Sequence, residues 1–287
     1  MERTIHHRLH LVEAADWKDG VITLLEPDSP YRPWRYAFGD SRPGDYSVMV
    51  LGTDPVSVLT LLGRIDHEGG LGGALFNDHW VGSSNLVDLA TLAMVLDLDD
   101  AFTTWRFTDD DAERVILALH ESRARGGPFL RWGHSSVSAA RILLNFNGKC
   151  DSCDEEIDLR GIDARDRMHI HTADPLPRPT PHSPIRPVDH PGRYRPYRAS
   201  LRDEVRDWPA VLCRRCHVRM RNGNFSSFID FRFAQHPECR ECGGARTQRI
   251  AYGEPVSPDY FGPWVYLGGC VEGADDWHCD NCEHEWS

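Results

Sequence analysis

Residues 211–220 read VLCRRCHVRM, a short apolar run leading into two cysteines two residues apart, with a histidine directly after the second. What these cysteines do decides the fold. A C-x-x-C turn aims both sulfurs at one point, and two such turns complete the tetrahedral shell of a structural zinc ion. The 287-residue chain has nine cysteines, and eight of them form such pairs: Cys150/Cys153, Cys213/Cys216, Cys239/Cys242 and Cys279/Cys282. Four adjacent pairs are a poor way to staple a chain of this length by disulfides, and no βαβ pattern surrounds any pair to suggest a redox motif. The expectation is two zinc ions per chain. Pairing in sequence order joins Cys150/Cys153 with Cys213/Cys216 and Cys239/Cys242 with Cys279/Cys282, although crossed or nested pairings satisfy the same spacing. The sequential order lets each ion close a local unit, and ligation contributes about 10–16 kcal/mol of apparent folding energy to a unit with little core. The ninth cysteine, Cys270 in YLGGCVEG, reads as a small buried residue.

The composition is that of a globular chain, 40% hydrophobic and 26% charged. No apolar run reaches about 18 residues, and the opening MERTIHHRLH lacks the apolar stretch of a signal peptide. A soluble, cytoplasmic protein with no membrane partner is therefore expected, which suits thiolate metal sites. Net charge is −12, but it is unevenly spread. Residues 176–249 hold 15 basic and 7 acidic side chains, whereas residues 250–287 hold 8 acids and no Lys or Arg. The basic stretch runs from LPRPTPHSPIRPVDHPGRYRPYRASLRDEVRDW into CRRCHVRMR, and every cation in it is arginine. Guanidinium groups make forked contacts with phosphate, so this stretch is a candidate nucleic-acid face. With only two lysines in the chain, Lys18 and Lys149, a general preference for arginine explains part of the pattern.

Outward from the cysteines the chain reads as an α+β protein in three parts. Residues 1–132 form a mixed α/β domain, 133–232 a zinc-bound domain and 233–287 a second small zinc unit. DYSVMVLG and SVLTLLGRID are strand-like and separated by TDP turn chemistry. SSNLVDLATLAMVLDL reads as a helix with Leu86, Leu89, Leu92 and Val95 at helical spacing. TDDDAERVILALHESRA reads as another, with acids in its first turn to suit the helix dipole. GHSSVSAARILLNF reads as a helix begun at Ser135 or Ser136 that delivers the chain to NGKCDSC. The proline-rich run from Pro175 to Pro196 reads as a long loop.

The sequence of a helix leading to GKCDSC, a strand with histidines in DRMHIHTADP, a loop, and then DWPAVLCRRCH resembles the zinc-containing branch of the HNH, or ββα-metal, endonucleases. The resemblance covers roughly residues 135–222. It implies that the two C-x-x-C pairs clamp a β-hairpin to a helix, that a strand histidine, His171 or His169, activates water, and that His217 helps to hold a catalytic Mg2+ or Mn2+. Hydrolysis of a phosphodiester needs a base for the water and a cation for the charge on phosphate and leaving oxygen. Imidazoles and a carboxylate supply both tasks. His169 and His171 are two apart and so share one face of a strand. Asp174 is near enough in sequence to add an oxygen ligand, with Asp166 and Asp207 as weaker candidates. The pattern departs from the family in having HIH on the strand and no asparagine between His171 and Cys213; Asp207 or Trp208 stands near the missing position.

The last 55 residues resemble a zinc ribbon, with Trp277 and Trp286 covering the metal and His278 and His284 at the surface. Their acidity would repel phosphate, so this unit is expected to be structural or to contact a protein partner. RPGDYSVMVLGTDPVSVLTLLGRID loosely resembles the strand pair of PUA-like domains, including the EVE type, which implies a modified-base reader in residues 1–132. Aromatics such as Tyr31, Trp34 and Tyr36 are more often packing residues than a base cage. The expected function is a metal-dependent endonuclease on double-stranded DNA, directed at modified or foreign DNA, with a homodimer as one form it could take. The alternative is a noncatalytic zinc-dependent module that binds nucleic acid or protein.

Overall fold

The computed structural model describes residues 8–36, 41–65, 86–123, 131–175, 205–253 and 261–287. The proline-rich run beyond Pro175 lies outside these residues. The chain opens with β1 (Leu9–Ala14), α1 (Trp17–Leu25), β2 (Trp34–Tyr36), β3 (Tyr46–Leu51), β4 (Ser57–Arg64) and β5 (Leu86–Asp88). These strands make one sheet in the order β2-β1-β3-β4-β5, with β1 parallel to β3 and the remaining pairs antiparallel. Asp16 caps α1 by accepting from the N–H groups of Lys18 and Asp19. The helix lies close on the sheet because Gly20 faces it: a Cβ there would come within 2.8 Å of the Ala14 Cβ and 2.9 Å of Leu51 Cδ2.

Four helices follow: α2 (Leu89–Leu96), α3 (Asp99–Thr104), α4 (Asp109–Arg123) and α5 (Ser136–Leu144). The reading of residues 83–98 as one helix is corrected at its start. Leu86–Asp88 pairs with β4, Leu86 opposite Leu59, and the helix begins only after Asp88, whose carboxylate accepts from Thr91 N at 2.8 Å. The apolar spacing also misplaced Val95, which lies within the helix but points to solvent, 70% exposed. Helices α4 and α5 and the Ser135 cap match expectation, with Ser135 Oγ accepting from Ser138 N.

The sheet separates two layers. On one face Val48, Val50 and Val58 meet Leu92, Phe102, Val115 and Leu119 of the α2–α4 layer. On the other, Val12, Leu51 and Leu59 join Ile22 of α1 and Leu143 of α5 in a larger core. That core continues without a break into the part around the first two C-x-x-C turns through Met168, Leu212 and Phe228, and it includes Trp264 of the C-terminal part. Apolar packing therefore crosses the expected divisions at 132/133 and 232/233. Hydrogen bonds reinforce the first junction: Lys18 Nζ donates to the carbonyls of Arg165 and Met168 at 2.6 and 3.1 Å.

After α5 come α6 (Ala164–Arg167), β6 (Met168–His171), β7 (Ala210–Cys213), α7 (Arg214–Asn222) and α8 (Phe228–Phe233). Strands β6 and β7 form an antiparallel pair with His169 opposite Leu212 and His171 opposite Ala210. The C-terminal part is a four-stranded sheet in the order β11-β10-β8-β9, from β8 (Thr247–Tyr252), β9 (Val265–Gly269), β10 (Trp277–Cys279) and β11 (Glu285–Trp286). The whole is a mixed α+β architecture of several small sheets. Among the described residues no helix is long and apolar enough to cross a membrane.

Candidate functional site

The four C-x-x-C turns meet in the sequential order. The sulfurs of Cys150, Cys153, Cys213 and Cys216 lie within 4.8 Å of one another, as do those of Cys239, Cys242, Cys279 and Cys282. Zinc–sulfur bonds of about 2.3 Å in a tetrahedron place sulfurs about 3.8 Å apart. The observed spacings are 3.9 Å for Cys153–Cys213 and 3.6 Å for both Cys239–Cys282 and Cys242–Cys279. Each quartet thus has the dimensions of a zinc shell, and each could hold one structural ion. In the first, backbone N–H groups also aim at sulfur: Cys213 N donates to Cys150 Sγ at 3.2 Å and Cys216 N to Cys213 Sγ at 3.5 Å. Cys213 is the N-cap of α7 and Cys216 lies in its first turn, so the positive end of the helix faces the thiolates. Burial pushes the Cys150 thiol well up and that of Cys216 to about 11, so a cation is needed for the quartet to be held as thiolates.

In the second quartet, Trp286 and Trp277 pack against Cys239 and Cys279 and face each other across β10 and β11. Two expectations for this part are corrected. His278 is buried, its ring stacked on Tyr266 of β9 at 3.7 Å with the planes 5° apart, because it lies on the face of the sheet that Tyr266 covers. Cys270 is exposed, because the chain leaves the sheet at Gly269, which sits at φ +96°. His284 stacks on Trp286 at 5.7 Å, and neither histidine belongs to the quartet.

The first quartet joins β7, α7 and the turn after α5 beside β6, and this brings imidazoles together from both sides of the hairpin. His169 and His217 stack with ring centroids 4.0 Å apart and planes 13° apart. Burial pushes the His169 imidazole below its ordinary value, and His217, Lys18 and Arg214 act the same way. Burial lowers His217 as well, with Arg221 and His171 adding to the effect. The Nε2 atom of His169 is buried without a hydrogen-bond partner. His171, on the same strand face, instead meets a carboxylate: its Nε2 lies 2.8 and 3.0 Å from the two oxygens of Asp207. Asp207 is itself fixed, since Oδ1 accepts from Trp208 N at 2.8 Å and Phe228 N at 2.7 Å.

Asp174 stands apart from this group. Its carboxylate pairs with His134 Nε2 at 2.9 Å, is 92% exposed, and has His134 tethered in turn to Thr172 at 2.8 Å. Asp207 takes the place beside His171 that the sequence offered first to Asp174. The signal was present in DWPAVLC, since Asp207 lies just ahead of the strand that pairs with β6. His134 in GHSS carried no comparable mark.

A divalent ion shared by His169 and His217 does not fit their rings as they stand. An imidazole binds a metal in its ring plane. With the rings parallel and stacked, an ion in the plane of one lies a full ring separation out of the plane of the other. Among the described residues, the groups whose donors converge as an ion requires are the two cysteine quartets. The outer side of α7 exposes Arg214, Arg215, Arg219 and Arg221, of which Arg215 pairs with Glu155 at 2.7 Å.

Compared with protein-family models, with curated proteins and with solved structures, the chain matches none.

Proposed function

We propose that the chain is an HNH-like phosphodiester hydrolase acting on double-stranded DNA, and that the pairing of His171 with Asp207 on the zinc-sized hairpin carries its chemistry. Donation of the Nε2 proton to a carboxylate fixes the imidazole tautomer and leaves the Nδ1 lone pair as the base for a water molecule. Asp207 is held by two backbone N–H groups, so the imidazole is oriented before substrate arrives. Lys18, Arg214 and Arg221, whose charges act on the neighbouring imidazoles, provide the positive field in which a phosphate would sit. His217, whose imidazolium form burial and Arg221 disfavour, is the candidate to donate a hydrogen bond from its neutral N–H to the leaving oxygen. No step is assigned to Mg2+ or Mn2+, since among the described residues the donor groups that converge as an ion requires are the two cysteine quartets.

Selectivity for modified or foreign DNA remains a further proposal, motivated by the PUA-like resemblance of the first 132 residues; equal affinity for modified and unmodified duplexes would remove it. The reading as a whole is tested by nicking of supercoiled plasmid, with magnesium, manganese or chelator of loosely held divalent ions. Wild type is expected to nick, and His171→Ala to leave the plasmid supercoiled. If wild type and His171→Ala behave alike under every condition, the hydrolase reading fails.

A second reading is favoured by the His169–His217 stack and by the missing asparagine: a zinc-dependent module that binds nucleic acid without cutting it. Retention of DNA by the wild type with no nicking, lost when the arginines of α7 are replaced, would select it. The acidic C-terminal sheet, with no Lys or Arg after residue 249, suits a basic protein partner in either case.

A further inference from the structure

The α2–α4 layer covers β3 to β5 but leaves β1 and β2 partly open on the same face. Leu9 and Leu11 of β1 are only half-buried against it, and above them opens a cleft of about 620 Å3. This lies within the range of small-molecule sites, about 300–1,000 Å3. Its far wall is the α3–α4 junction, with Trp105 and Phe107, and its rim carries Arg35 of β2 and Arg106. The opposite face of the sheet holds α1, α5 and the part around the first two C-x-x-C turns, so this cleft is separate from the imidazole cluster.

Trp105 ends α3 in the left-handed region, at φ +49° and ψ +38°, where glycine or asparagine is usual. A bulky residue there is strained, and the surroundings hold it: Phe102 and Phe107 meet its ring edge-on at 5.6 and 5.9 Å. The result is a fixed, half-buried indole at the wall of an open cleft. Its two exposed neighbours on the rim, Arg35 and Arg106, are guanidinium groups, which suit a phosphate. The cleft is lined by three arginines, Arg8, Arg35 and Arg106, against two acids, Glu13 and Asp109, and this single excess positive charge fits one phosphate better than a polyphosphate chain.

We infer that this cleft binds a nucleoside monophosphate, with the base against Trp105 and the phosphate on Arg35 and Arg106. The test is calorimetric titration of the full, zinc-loaded chain with each of the common nucleoside monophosphates, the matching nucleosides, inorganic phosphate and a short single-stranded oligonucleotide. Saturable binding of at least one monophosphate is expected, about ten-fold or more tighter than its nucleoside and than phosphate alone. Replacing both exposed arginines, Arg35→Gln with Arg106→Gln, should weaken it by about ten-fold or more without shifting thermal unfolding. Trp105→Leu should abolish the base-dependent part. Absence of saturable binding to the folded wild type, equal binding of phosphate alone, binding confined to the oligonucleotide, or indifference to the double arginine variant would each overturn the inference.

Discussion

His169 and His217 lie face to face, 4.0 Å between ring centroids and 13° between planes, one on the first strand of the hairpin and the other on the helix that follows the second. The contact exists because the Cys213–Cys216 turn starts α7 directly at the end of β7, beside β6. Aromatic pairs contribute about 0.5–1.5 kcal/mol beyond their buried area, which is the ceiling for two imidazoles stacked this nearly face to face. His217→Phe keeps a ring in place and should unfold within about 1 kcal/mol of wild type, whereas His217→Ala should lose about 0.5–1.5 kcal/mol. Both variants should lose plasmid nicking if the imidazole handles protons. Chemical denaturation run beside the nicking assay separates the two effects, and full activity in the Phe variant would make His217 a packing residue only.

The two quartets make different predictions for metal removal. The first includes Cys150 and Cys216, which belong to the main core beside Leu212 and Met168. Cys216→Ser should therefore unfold the hairpin and much of what packs on it, since zinc ligation here would be worth about 10–16 kcal/mol of folding energy. Cys279→Ser affects a small cluster with Cys239 and Trp286. That variant should still fold around the hairpin while its bound zinc falls from two to one. Elemental analysis with circular dichroism checks both. Less than one zinc per wild-type chain would count against the assignment of both quartets.

Much of this was legible in sequence because knuckle spacing is a local signal. Cys150/Cys153 and Cys213/Cys216 announce a metal shell wherever they lie, and HIH places two imidazoles on one strand face. What joins those imidazoles to their partners is long-range and left no such mark. Asp207 reaches His171 because β6 and β7 pair in one register, and the sequence did not favour it over Asp174. The start of α2 was misread for a related reason: Leu86 is as apolar as Leu89, but only pairing with Leu59 makes it a strand residue. Cys270 and His278 were misjudged by residue type, since exposure there is decided by where β9 ends and by Tyr266 of β9 covering the His278 ring.

Asp45 should give the fold an acid-sensitive joint. Its side chain is 6% exposed, accepts at 2.8 Å from His10 Nε2, and also accepts from the N–H groups of Arg42 at 2.9 Å and Arg8 at 3.4 Å. Burial alone would raise its pKa, but these hydrogen bonds outweigh it and hold the carboxyl below its ordinary 3.8. A carboxylate depressed on folding contributes stability that is complete above the unfolded value and is lost as pH falls through the folded one. The contribution should therefore fade on the acid side of about pH 4. Asp45→Asn should lose about 1–3 kcal/mol at neutral pH and show a flatter fall in stability over that acid range, measured by urea unfolding across pH. An unchanged acid profile in the variant would show that the joint does not govern it.

Asp207 performs two tasks that substitution can separate. Its carboxylate binds His171 and also satisfies Trp208 N and Phe228 N at the start of α8. Asp207→Ala orphans two backbone donors and should destabilise the chain by about 1–3 kcal/mol, so its loss of activity would say little about chemistry. Asp207→Asn retains an oxygen for both N–H groups but removes the charge that orients and stabilises the imidazole. It should unfold close to wild type and yet nick plasmid about 10²–10⁴-fold more slowly, the usual contribution of a positioned acid or base. Rates for His171→Ala and the double variant decide what the pair does. If the two residues act as a unit, adding Asp207→Asn to His171→Ala slows nicking no further. If Asp207→Asn nicks like wild type while His171→Ala is inactive, the carboxylate is a helix cap and His171 works without it.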